Sequence, residues 1–175
     1  MTTPSSTDNK RLIVSLPKFV GLSLVTFGSY QLYWAWRAWE IVRQSKHEKY
    51  RVTPSVRGFF LPYSAFRLLP QLKELADAKG YRGNVGMNTL AAIYLIANLT
   101  GYSVVAPMWL GGISALVILF VLLPAVNAYN YYLAHTKTKF VVPRTNPPLI
   151  IAIILWGVIT LGFGLWLMSN TSAPH

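Results

Sequence analysis

The sequence predicts an all-α, polytopic integral membrane protein with three to four transmembrane helices and one interfacial amphipathic helix. Three observations predict it. Of 175 residues, 53% are hydrophobic and only 12% charged, whereas soluble domains carry about 25% charged residues. Long apolar runs almost without charge recur along the chain. Sixteen Lys and Arg face five Asp and Glu, for a net charge of +11, and these bases fall between the apolar runs. A basic balance on a soluble chain would suggest nucleic acid; here the positive-inside rule and an anionic leaflet explain it more simply.

Residues 1–17 read as a disordered polar and basic tail. A membrane domain occupies 18–168, with helices over about 19–43, 85–106, 108–133 and 149–168, a cytoplasmic or interfacial segment over 44–84, and a short tail over 169–175. In the first helix, the 18 residues Phe19 to Trp36 are apolar enough to span as a retained signal anchor behind Lys10, Arg11 and Lys18. Gly21, Gly28 and Gln31 interrupt the run, and a re-entrant hairpin bent at Gly28-Ser29 is the alternative. In the 44–84 segment, the apolar block Gly58 to Phe66 is too short to span, and Pro62 and Pro70 are expected to break it. Leu72, Leu75 and Ala76 then keep helical spacing up to Gly80. The expected form is an in-plane helix with Phe59, Phe60, Tyr63 and Phe66 among acyl chains. Pro107 opens the third helix, so the second and third form a tight hairpin with an uncharged tip, and Pro124 should kink the third.

Lys and Arg counts orient the chain. Residues 37–84 carry ten, the turn between the second and third helices none, 134–148 three, and the C-terminal tail none. With four spans, both basic loops are cytoplasmic and both termini outside. The three bases of the N-terminal tail argue the other way, but the ten after the first helix outweigh them, so the expected orientation is N-out. A re-entrant first segment would keep the N-terminus inside and leave three spans.

Little in the chain promises catalysis. Without cysteine there is no disulfide, thiolate metal site or cysteine nucleophile. No HExxH, GxSxG or P-loop pattern occurs, and His47, His135 and His175 lie apart in sequence. The expectation is a non-enzyme with no catalytic residue, metal or cofactor. Polar candidates inside the helices are Asn88, Asn98, Asn127 and Asn130, read as helix-helix hydrogen-bond partners or as the lining of a solute path. Small-residue pairs, Ala97 with Gly101 and Gly111 with Ala115, favour close packing. Arg37, Arg43, Arg57 and Arg67, with Phe59 and Phe60, combine bases and apolar anchors suited to anionic lipid or a membrane partner. In YQLYWAWRAW, Tyr30, Tyr33, Trp34, Trp36 and Trp39 are split between helix faces, which suits an interfacial belt rather than a ligand cage.

The run Lys18, Thr26, Gly28, Tyr30, Tyr33, Trp34 and Trp39 resembles the opening motif Thr-x-Gly-x-Tyr-x-x-Tyr-Trp of small, uncharacterised bacterial inner-membrane proteins of a domain-of-unknown-function type. The RGFFLPYSAFRLLPQLKELA block is similar to the segment next in order in some of them. The resemblance covers about 60 residues and implies a multi-pass protein of the bacterial inner (cytoplasmic) membrane, with no activity to carry over. The functional expectation is a non-enzymatic membrane protein that binds anionic lipid or a membrane partner through its basic face, alone, as a homo-oligomer or with other membrane proteins. A small transporter or channel-like subunit, with a polar route between helices two and three, is the alternative. A lipid-modifying enzyme stands third.

Overall fold

The computed structural model describes residues 11–46, 54–101 and 108–142, together with positions 151, 155, 158 and 162. Among these residues the architecture is entirely helical. The helices are α1 (Leu16–Val25), α2 (Ser29–Lys46), α3 (Pro54–Phe59), α4 (Leu61–Asp77), α5 (Met87–Gly101) and α6 (Met108–His135). Most of the predicted fourth helix, 149–168, and the tail 169–175 lie outside the described residues. Positions 151, 155, 158 and 162 have helical backbone and face outward.

The apolar run that opens the chain is not one helix. α1 ends in a Schellman turn: Gly28 N–H donates to Ser23 C=O at 2.7 Å and Phe27 N–H to Leu24 C=O at 3.2 Å. Phe27 (φ +48°) and Gly28 (φ +84°) both occupy the left-handed region, which glycine enters without cost and a phenylalanine does not. Thr26 sets the next helix, its Oγ1 donating to Leu22 C=O and accepting from Tyr30 N–H at 2.9 Å. α2 therefore folds back along α1, and Phe19 packs edge-on against Tyr30 and Trp34, at ring separations of 5.9 and 5.6 Å. The predicted continuous helix over 19–43 is corrected to a helical hairpin that bends at Gly28, where the alternative reading put the bend. At ten residues, about 15 Å, α1 is too short to cross a bilayer.

The disordered tail expected over 1–17 is also corrected for its described part. Leu12 and Val14 are buried. The Asn130 amide grips the backbone of Val14, accepting its N–H at 3.1 Å and donating to its C=O at 2.6 Å. The Tyr129 hydroxyl donates to Leu12 C=O at 3.3 Å. The segment before α1 thus lies against the C-terminal end of α6. The end of α2 lies there too, since Tyr132 donates to Ser45 Oγ at 2.9 Å and Gln44 bonds Val141 N–H and C=O. Lys46 pairs with Glu74 at 2.6 Å, which adds the end of α4.

α4 is amphipathic and runs unbroken through Pro70. Leu61, Ala65, Leu68, Leu69, Leu72 and Ala76 recur at helical spacing and are fully buried against α2, α5 and α6. Burial of that stripe outweighs the one backbone hydrogen bond that Pro70 cannot donate. So the interfacial helix is partly corrected: its aliphatic face covers protein, and Phe60, Tyr63 and Phe66 remain exposed. The Phe59 side chain lies outside the described residues.

α5 and α6 form the expected antiparallel hairpin, tightest where Gly101 and Gly111 meet. A Cβ on Gly101 would sit 3.3 Å from Ser114 Cβ, and one on Gly111 4.0 Å from Gly101 O. α6 is packed from Leu122 to Leu133 but carries Ile113, Leu116 and Phe120 on its surface nearer its start. Ile93, Ile96 and Leu99 of α5, with Leu24, Val25 and Phe27 at the α1–α2 turn, extend this exposed apolar zone. One helix among the described residues, Leu110–His135, is long and apolar enough to cross a membrane.

α3 crosses α2 through Gly58, where a Cβ would lie 2.9 Å from Trp36 N. Gly58→Ala is expected to force the two backbones apart and destabilise the fold by about 1–3 kcal/mol. A lower unfolding temperature checks this; an unchanged one would contradict the close crossing.

Candidate lipid-contact site

The aromatic-rich stretch of α2 is core, not surface. Trp34, Trp36 and Trp39 are 1%, 3% and 1% exposed, which corrects their assignment as interfacial anchors; Tyr30 and Tyr33 are half-buried. Rings split between two faces suit a helix covered on both sides. Trp34 lies between Phe19 of α1 and Tyr129 of α6. On the other side Trp39 meets α3 and α4: the Arg57 guanidinium sits 4.9 Å from its ring centre, and its Nε1 donates to Ser64 Oγ at 3.4 Å. Ser64 Oγ in turn donates to Arg57 C=O at 2.7 Å, tying α4 to α3.

These contacts shape a cleft of about 600 Å³ lined by Trp39, Arg57, Phe60, Tyr63, Ser64, Phe66 and Arg67. It gathers three of the six residues predicted for lipid contact: Arg57, Phe60 and Arg67. Tyr63, 81% exposed, and Phe66 stand at its rim. Such a floor suits an anionic group, with charge-assisted hydrogen bonds from guanidinium and an apolar wall for attached hydrocarbon.

The other predicted bases are engaged differently. Arg43 pairs with Glu40 on its own helix, and this hydrogen bond holds its guanidinium above its ordinary pKa. Arg37 lies over the Tyr33 ring at 5.6 Å, with its Nε buried and unpartnered among the described residues. Of the described acids, Glu40, Glu74 and Asp77 pair with Arg43, Lys46 and Lys73.

The four predicted asparagines do not gather in one place. Asn88 and Asn127 face outward, Asn98 donates to Tyr94 C=O in its own helix at 2.8 Å, and Asn130 holds Val14. The polar contact joining α5 to α6 is instead Thr100 Oγ1 to Ser114 Oγ, 3.1 Å. Tyr94 also reaches back to Gln31 Oε1 at 3.3 Å, tying α5 to α2. Neither contact has a local sequence signal, because each joins residues far apart in the chain.

Compared with protein-family models, curated proteins and solved structures, the chain has no significant match. Its class rests on the fold itself, an all-helical protein with one candidate membrane-spanning helix among the described residues.

Asn130→Leu should release the segment before α1, because two hydrogen bonds to Val14 are lost. Amide exchange over residues 12–16 is expected to rise about tenfold or more, with little change in α4. Unchanged exchange at those amides would contradict the clamp.

Proposed function

We propose that this chain is a non-enzymatic, multi-pass helical protein of a bacterial inner membrane that binds anionic lipid headgroups at the Arg57–Arg67 cleft. The observation that carries it is convergence: two arginines from different helices share one cleft with exposed Phe60, Tyr63 and Phe66. The setting is supported by the apolar exposed zone on α5, α6 and the α1–α2 turn. Patches of that kind on a soluble surface invite aggregation, whereas hydrocarbon accepts them.

The hairpin also supports a reading of the conflicting charges in the sequence. With α1 folded back, Arg11 and Lys18 lie towards the same end of the bundle as the last turns of α2 and α6 and the bases Lys137 and Lys139. Read by the positive-inside rule, that end is the cytoplasmic one and the N-terminus is inside, the reverse of the N-out expectation. The headgroup phosphate then sits between Arg57 and Arg67, and the rings enter the acyl boundary beside it.

The test uses full-length protein in neutral detergent, with phosphatidylglycerol and phosphatidylcholine as competing probes and native mass spectrometry as readout. Phosphatidylglycerol is expected to be retained preferentially. R57Q/R67Q removes about 2 kcal/mol of surface attraction, which corresponds to a loss of roughly 30-fold. Higher salt should weaken the wild-type preference in the same direction. Equal retention of both lipids, or no effect of the double substitution, would sink the proposal.

A further inference from the structure

A second cavity, of about 420 Å³, lies between the α1–α2 turn and the α5–α6 hairpin. Its chemistry is unlike that of the arginine cleft: none of its lining residues is charged. Leu24, Phe27, Leu32, Ile118 and Leu119 supply apolar wall. Ser23, Gln31, Tyr94, Asn98 and Ser114 supply polar atoms.

The polar groups are incompletely satisfied. Ser23 is 3% exposed and its Oγ is buried without a hydrogen-bond partner among the described residues. Leaving a buried hydroxyl unpaired costs about 1–3 kcal/mol, so its retention beside a cavity points to a ligand that completes it. Gln31 is 5% exposed and uses its Oε1 to accept from Tyr94, which directs its amide N–H groups elsewhere. Asn98 uses Nδ2 on Tyr94 C=O, leaving its carbonyl oxygen as acceptor. A hydroxyl that both donates and accepts, an amide donor and an amide acceptor thus line one cavity.

We infer that this cavity binds a neutral amphiphile whose hydroxyl or carbonyl oxygens meet Ser23, Gln31 and Asn98, with its hydrocarbon chain along the apolar wall. A charged headgroup is disfavoured because no countercharge lines the site and burying an unpaired ion is costly. A wholly apolar ligand would leave the Ser23 hydroxyl unpaired. The volume lies within the range of small-molecule sites. Two sources carry this chemistry, neutral glycerolipids and prenyl or alkyl quinones, and separate probes distinguish them.

The site goes beyond the headgroup cleft and is tested apart from it. Full-length protein in neutral detergent is incubated with dioleoylglycerol, with decylubiquinone, and with oleate and hexadecane as charged and apolar controls. Retention is read by native mass spectrometry and thermal shift. At least one neutral oxygenated probe is expected to bind at least tenfold better than either control, and which one binds names the source. Gln31→Leu should cut that binding about tenfold through one lost hydrogen bond. Ala115→Trp, at an exposed cavity position, should block it by filling the space. Both variants should keep wild-type phosphatidylglycerol retention, and R57Q/R67Q should keep neutral-probe binding, so each site reports on the folding of the other. The inference is overturned if no neutral probe beats the controls. Binding that neither Gln31→Leu nor Ala115→Trp reduces overturns it as well.

Discussion

The turn at Thr26–Gly28 is the constraint on which the rest of the molecule depends. A residue in the left-handed region followed by a left-handed glycine cannot continue α1, so the chain reverses inside its first apolar run. Reversal places Phe19 on Trp34 and carries the segment before α1 down to Asn130. Had α1 and α2 been one rod, Leu12 and Ser45 would lie at opposite ends of it. Both instead contact the last turns of α6, through Tyr129 and Tyr132.

That reversal divides the bundle into two unlike ends. At one, α2, α4 and α6 pack a dense core around Trp34, Trp39, Leu68, Leu72 and Leu122, ringed by bases and by the ion pairs of Glu40, Glu74 and Asp77. At the other, the α1–α2 turn and the α5–α6 hairpin stand thinly packed, with Ile96, Leu99, Leu116 and Phe120 outward. Two cavities of different chemistry lie on either side of the start of α4. Arginines and exposed rings frame the one where the start of α4 meets α3 and the middle of α2; uncharged amides and a serine frame the one at the α1–α2 turn. In the proposed membrane setting the first meets headgroups and the second meets hydrocarbon.

Elements set by local pattern were legible in the sequence. The α5–α6 hairpin comes from two apolar runs around Pro107, and the second half of α4 from the helical spacing of Leu72, Leu75 and Ala76. Arg57 and Arg67, which the fold brings to one cleft, were legible as bases flanking an aromatic block. The features that were not legible depend on contacts between distant residues. An apolar run reads the same whether it spans or doubles back, and Gly28 alone does not separate the two. Tryptophans beside bases look interfacial until α3 and α4 are known to cover them. Pro70 looks like a break until the burial of its neighbours is counted. Asn130 looks like a helix-helix bond, and only the fold brings Val14 to it. The uncharged cavity joins α1, α2, α4, α5 and α6, and a sequence search for charged intramembrane groups passes over it.

The reversal of α1 is tested most directly by which side of the membrane carries the residues before it. The chain has no cysteine, so single cysteines at the exposed positions Ser15 and Lys137 can be labelled in intact cells from either side. The hairpin predicts that both react only from the cytoplasmic side. Labelling of Ser15 from outside, with Lys137 reacting only from inside, would contradict it and restore a first helix that crosses.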